Sequence, residues 1–242
     1  MTRKHIISKP IEISCNQQPS ARRFAIGDVH GCCTTLKSMV DNVLRLETND
    51  TLFLLGDYID RGPDSKGVLN YLMQLSESGY NIQPIMGNHE HMLLNATRSF
   101  ESRNMWHWNG GANTLHDFGV RRPEDIPPKY IKFISSLPLI IVLDDYVLVH
   151  AGLHFGVTDP IKETPEFFML WEREYKVQQE KLGGRTLLCG HTRTPLFEIR
   201  ESLHKPAICL DNGCYDKGHM SYGNLVALNL DTLELLVVEN CD

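Results

Sequence analysis

Residues 84–92 read Pro84-Ile85-Met86-Gly87-Asn88-His89-Glu90-His91-Met92: an apolar run that passes straight into a glycine, an amide, two imidazoles and a carboxylate. Polar groups of this kind are costly to bury without partners, so the stretch raises the question of what they face. The same grammar recurs four more times. Phe24-Ala25-Ile26 leads into Gly27-Asp28-Val29-His30-Gly31, and residues 51–55 lead into Gly56-Asp57-Tyr58-Ile59-Asp60-Arg61-Gly62. Residues 146–149 lead into His150-Ala151-Gly152, and residues 186–189 into Gly190-His191-Thr192. Glycine at such a point lets the backbone turn sharply and leaves room for a ligand.

Helical spacing separates the first three runs. Leu36, Met39, Val40, Val43 and Leu44 lie on one face over residues 34–46, and Val68, Leu72 and Leu75 do the same over residues 64–75. The pattern is βαβαβ, which predicts an α/β domain with a parallel sheet. In such sheets ligands bind beyond the carboxyl ends of the strands, and neighbouring strands lie about 4.8 Å apart. Side chains from adjacent tips can therefore converge. Residues 89–136 read as helical and include Trp106, with Trp108-Asn109-Gly110-Gly111 lining the cleft or turning the chain. Two strands, 139–143 and 146–149, join at Asp144-Asp145, and a helix is predicted over 165–181. The remainder (186–189, 207–210, 225–230 and 233–238) reads as β. Residues 1–22 are polar, hold Pro10 and Pro19, and are expected to be an N-terminal arm before a single domain over 23–242.

The bulk composition excludes several classes. The 242 residues are 42% hydrophobic with a net charge of −6 and no basic block, which argues against a nucleic-acid partner. No apolar run is long enough to cross a bilayer, and a cytoplasmic protein is expected. The seven cysteines lack any CxxC pair, so neither a disulfide framework nor a zinc knuckle is expected. Cys32 and Cys33 read as small residues opening a helix.

Asp28, His30, Asp57, Asn88, His150 and His191 form a set of oxygen and imidazole donors that suits divalent Mn, Fe, Zn or Ni. Six donors are more than one tetrahedral ion with an open position uses. Two ions about 3.5–4 Å apart with a shared carboxylate would employ them all.

In this order, GDxHG, GDxxDRG, GNHE, HAG and GHT resemble the phosphoprotein phosphatase family of calcineurin-like metallophosphoesterases, and in particular the bacterial and phage-type serine/threonine phosphatases. The resemblance covers about residues 24–215. It implies a four-layer αββα sandwich with a two-metal site between the sheets. It also implies that Asp28 and His30 bind one ion, that Asp57 bridges, and that Asn88, His150 and His191 bind the other. His89 resembles the general acid, Asp60 its orienting partner, and Arg61 a phosphate-binding arginine. Arg173, in Trp171-Glu172-Arg173, resembles a second one, against the alternative of a solvated helix arginine. The implied activity is hydrolysis of phosphate monoesters, foremost phosphoserine and phosphothreonine in proteins, by in-line attack of a hydroxide bridging two Mn-type ions. The rival is a symmetrical diadenosine tetraphosphate hydrolase. Those enzymes usually read GNHD, so Glu90 leans towards the protein phosphatase. A binding module without catalysis is a third reading, disfavoured because every ligand position and His89 are filled. Met86 breaks the pattern, since many protein phosphatases place a phosphate-contacting arginine there. Met86→Arg is accordingly expected to restore that contact.

Overall fold

Alternate residues of the central strands go to opposite faces, and both faces are apolar. Phe24 and Ile26 join one buried cluster while Ala25 joins another; Leu52 and Leu54 part from Phe53 and Leu55 in the same way. A strand buried on both sides is what helix-covered sheets require. The computed structural model describes residues 11–12 and 21–242, and in these it contains two five-stranded mixed sheets flanked by helices, the expected αββα layering.

The strands in chain order are β1 Ile11–Glu12, β2 Arg23–Ile26, β3 Thr51–Leu54, β4 Asn81–Pro84, β5 Ile140–Val142, β6 Tyr146–Val149, β7 Thr186–Cys189, β8 Ala207–Cys209, β9 Asn224–Asn229 and β10 Leu235–Glu239. One sheet has the order β10-β9-β2-β3-β4 and the other β1-β5-β6-β7-β8. Strands β2, β3 and β4 run parallel, as do β6, β7 and β8. Both parallel sets therefore carry their Gly-ligand tips at carboxyl ends. The smaller cluster draws Phe53 and Leu55 from one sheet and Leu148, Leu188 and Ile208 from the other, which makes it the layer between them.

The helices are α1 Cys33–Lys37, α2 Ser65–Glu77, α3 Asn88–Ala96, α4 Phe100–Trp106, α5 Ala112–Phe118, α6 Pro128–Ser135, α7 Pro160–Glu163, α8 Glu166–Trp171 and α9 Leu196–Ser202. Three expectations change. Part of the proposed arm is a strand, since β1 pairs in parallel with β5 at the sheet edge; residues 1–10 and 13–20 lie outside the described residues. The helix over 165–181 stops after Trp171, and Glu172 is extended (φ −68, ψ 133). Tertiary contacts win there, because an extended path brings the Tyr175 hydroxyl to the Ala151 carbonyl at 2.8 Å. Helix α9 forms where only β was expected, its Ile199 and the flanking Leu196 and Leu203 packing on the inter-sheet layer at helical spacing.

Arg23 clamps the two sheets at the end away from the tips. Its Nε–H donates to Asp231 and its two terminal nitrogens donate to Asp145 at 2.9 and 2.7 Å. Asp145 lies between β5 and β6, so one buried guanidinium links both sheets. Arg23→Ala is expected to cost about 1–3 kcal/mol by removing charge-assisted hydrogen bonds to two partly exposed carboxylates, measured as a lowered urea midpoint.

Candidate active site

The tips hold their side chains through strained backbone. His30, Asp57, Asp60, Arg61 and His191 all have positive φ, between 46° and 72°. Non-glycine residues adopt that region at a cost of about 1–2 kcal/mol each, and such strain gathers at functional sites. Close packing sets the loops as well: a Cβ on Gly27 would sit 2.4 Å from the Leu210 carbonyl oxygen.

Asp57 is the hub. Its carboxylate lies 3.5 Å from His30 Nε2, 3.4 Å from His150 Nε2 and 3.9 Å from His89 Nε2. It belongs to two buried groups whose donor atoms lie within 4.8 Å of one another: His30, Asp57 and His89, and Asp57, His150 and His191. The second group has Asn88 beside it, with Oδ1 2.8 Å from His150 Nε2 and 3.1 Å from His191 Nδ1. Asp28 accepts the His191 backbone N–H with both oxygens at 3.1 Å. Five of the six donors expected from the sequence thus converge, and Asp28 meets them through the His191 backbone N–H rather than as a member of either group.

The donor set fits cations. His30 Nδ1 and His150 Nδ1 donate to the Ile59 and Leu55 carbonyls at 3.0 and 2.7 Å, which leaves each Nε2 lone pair pointing inward, the usual support for a metal-binding histidine. The His150 lone pair then faces Asn88 Oδ1, two acceptors that need a shared cation or a reversed amide. His191 Nε2 and His89 Nε2 are buried without a hydrogen-bond partner among the described residues. Burial keeps these imidazoles neutral: it is the main cause that lowers His30 and His150, and with His150 it brings His191 to about 3. Carboxylates crowd the same space. Burial, Asp211 and Asp57 push Asp28 well above its usual range, and burial pushes Asp211 to about 6. Two divalent ions would relieve that repulsion and occupy the inward lone pairs. The donors are thus consistent with a dinuclear metal centre, and Asp57 is common to both groups.

His89 behaves differently from its neighbours. Burial works against its protonation, but Asp57 and the hydrogen bond to Asp60 overcome this and raise it. His89 Nδ1 lies 2.7 Å from Asp60 Oδ2. Asp60 is itself fixed, accepting from Trp106 Nε1 at 2.8 Å and from Thr114 Oγ1 at 2.6 Å. Trp106 and Gly110 thus back the site, whereas Trp108 is exposed. Trp106 is wholly buried, and a Cβ on Gly111 would collide with its ring at 2.4 Å. Trp106 and Thr114 were not anticipated from the sequence; the WNGG run beside a lone tryptophan was the available signal.

Arg61 places Nη1 3.0 Å from His30 Nε2, and Gly110, with φ at +106, presses against its stem. Arg173 is exposed on the extended segment after α8, so it is a solvated arginine as the alternative had it, but not a helical one. Its charge helps to depress both His150 and His191, which sets it beside the second donor group. Glu90 holds the loops: it accepts backbone N–H groups from Gly87, Asp57 and Tyr58 at 3.0, 2.9 and 2.8 Å. His91 lies apart, 3.0 Å from Glu166. Asp211, buried near Asp28 and Asp57, is a further acid that sequence reasoning missed. Cys32 and Cys33 are buried, and burial raises the Cys33 thiol to about 11, which removes it as a nucleophile.

Met86 is not at the site. It is 8% exposed and belongs to the large apolar cluster, so the expectation that Met86→Arg restores a phosphate contact is corrected. The substitution is instead expected to destabilise by roughly 3–5 kcal/mol, the range for an uncompensated buried charge. A thermal melt would show this, with no accompanying fall in KM.

The sequence profile of the calcineurin-like phosphoesterases matches residues 21–218. A symmetrical bis(5'-nucleosyl)-tetraphosphatase from Nitrosospira multiformis is 32% identical over 133 residues, covering 54% of this chain and 43% of its own. The enzyme of the same name from Pectobacterium atrosepticum is 34% identical over 56% of this chain and 43% of its own. The matches thus span less than half the length of these curated relatives. Among solved structures, one provisionally named a diadenosine tetraphosphatase superposes with TM-score 0.66 at 22% identity, covering 96% of this chain and 97% of the other. A protein serine/threonine phosphatase from Saccharomyces cerevisiae gives 0.66 at 16%, over 97% of this chain and 85% of its own. At those identities the two structures speak to the fold alone. The chain belongs to the calcineurin-like phosphoesterase family.

Proposed function

We propose that this calcineurin-like phosphoesterase cleaves a symmetrical dinucleoside tetraphosphate, with diadenosine tetraphosphate as the representative substrate, into two nucleoside diphosphates. The observation that carries hydrolysis is Asp57, shared by two buried donor groups beside the His89–Asp60 pair. The names of relatives at 32–34% identity support the substrate. The contrary lean towards protein phosphatase rested on Glu90, and Glu90 is occupied with backbone N–H groups, so its identity reports on loop architecture.

Asp28, His30 and Asp57 would hold one ion, and Asp57, Asn88, His150 and His191 the other. When bound, such a pair neutralises phosphate charge and lowers the pKa of water enough to supply hydroxide at neutral pH. Arg61 offers a planar fork that matches two phosphate oxygens. Water oxygen bonds to one of the two central phosphorus atoms, and the P–O bond to the bridging oxygen breaks. His89 Nε2 gives its proton to the departing diphosphate, and Asp60 stabilises the imidazolium before transfer.

A second reading keeps one observation in its favour. The dyad is built to protonate a leaving oxygen, which an alkoxide from phosphoserine needs more than a phosphate does. The test is kcat/KM for diadenosine tetraphosphate against a phosphoserine peptide in the same Mn-containing buffer. An advantage of tenfold or more for the dinucleotide is expected; the reverse ranking would return the protein to the phosphatase reading.

A further inference from the structure

Cationic contacts continue outward from Arg61. The Tyr215 ring has Arg61 Cζ at 4.7 Å and Arg193 Cζ at 6.0 Å from its centroid. The same ring meets His30 edge-on at 5.1 Å. Arg193 also lies 5.1 Å from the Tyr222 centroid. Gly213 makes room for it, since a Cβ there would sit 2.8 Å from Arg193 Cδ. Both guanidiniums act electrostatically on the buried Asp211 carboxyl, so the charge of Arg193 reaches the inner carboxylates. Its side chain is 43% exposed, and one terminal nitrogen donates to Asp216 at 2.6 Å. A guanidinium carries five N–H donors in a rigid fork, so this single bond does not exhaust it.

We propose that Arg193, propped by Tyr215 and Tyr222, is a subsite for the phosphate next to the one held by Arg61, and that it makes the enzyme select substrates carrying a phosphate chain. The inference rests on the phosphoesterase reading of the site. A monoester offers one anionic group, which the metal ligands and Arg61 already address. A nucleoside diphosphate moiety offers a second, and Arg193 is the cation that shares an aromatic wall with Arg61. The tyrosines hold the guanidinium in place before substrate arrives, which reduces the ordering cost of binding. Asp216 is the internal competitor that the second phosphate displaces or shares.

The test is calorimetric titration of ADP and, separately, of orthophosphate into the Mn-loaded 242-residue chain. Arg193→Ala is expected to weaken ADP about tenfold and orthophosphate by less than about threefold, as for loss of one partly exposed charge-assisted bond. Arg193→Met, which keeps the apolar stem against the tyrosines, is expected to behave in the same way. Asp216→Asn is expected to tighten ADP. Equal weakening of both ligands in both arginine variants, or none, overturns the subsite. Failure to cleave diadenosine tetraphosphate alongside selective loss of ADP binding would overturn the substrate reading and leave the subsite standing.

Discussion

Asp57→Asn is expected to leave a folded protein that binds metal weakly and turns over on the order of a thousandfold or more slowly, since losing a single transition-state donor already costs about 10²–10³. Asp57 alone is a member of both donor groups. Its carboxylate approaches His150 and His30 through different oxygens, and Oδ1 also accepts the His89 backbone N–H at 3.0 Å. Burial opposes its ionisation, but the imidazoles around it, among which His89 is the one whose protonation the site favours, and the His89 backbone N–H hold it below the usual carboxylate range. It is therefore an anion wherever the protein is folded at neutral pH. Asparagine keeps one carbonyl oxygen for the backbone contact, so the loop survives. It cannot give an anionic oxygen to each of two cations, so both sites lose affinity together. Metal analysis after dialysis, run beside p-nitrophenyl phosphate turnover and a thermal melt, checks this. Two full equivalents of metal with normal kcat would remove Asp57 from the bridging position.

The metal-facing half of the site was legible because strand tips are a local feature. An apolar run, a glycine and a donor lie within a few residues, and parallel pairing then places the tips side by side. Asp28, His30, Asp57, Asn88, His150 and His191 follow from that rule. What lies behind them does not. Trp106 and Thr114 reach Asp60 from α4 and α5, and the direction a helix faces is settled by packing far along the chain. Arg193 follows the Gly190-His191-Thr192 tip by one residue but is not a metal-donor type, and Asp211 and Tyr215 follow the 207–210 run without a glycine ahead of the donor; only the fold sets them beside Asp57, His30 and Arg61. Glu90 was legible as a residue that orients its neighbours, but not in its partners: the backbone N–H groups of Asp57, Tyr58, Ile59 and Gly87 reach it only through the fold. Met86 shows the converse. A position read from a family pattern was taken to face the site, whereas its side chain fills the core.

His89→Asn is expected to lower kcat by about 10²–10⁴ for substrates with poor leaving groups, the usual span for loss of a general acid. His89 Nε2 is buried with no hydrogen-bond partner among the described residues, while Nδ1 is committed to Asp60 at 2.7 Å. The ring is thus held so that its remaining nitrogen is the one available to a departing oxygen. Asparagine offers a neutral amide, which can donate a hydrogen bond but cannot give up its proton. The size of the loss must then follow the leaving group. An alkoxide from phosphoserine depends on full protonation. A departing phosphate group, with a pKa of about 6, depends on it far less, and nitrophenolate falls near that end too. Measuring kcat for alkyl phosphates, p-nitrophenyl phosphate and diadenosine tetraphosphate in the variant gives the slope directly. A steep dependence identifies His89 as the acid. A modest loss on diadenosine tetraphosphate beside a severe one on phosphoserine would also explain how the same dyad serves an anhydride without being indispensable to it. Equal losses across all three substrates would mean that His89 acts through the metal site or through folding, and the proton would have to come from elsewhere.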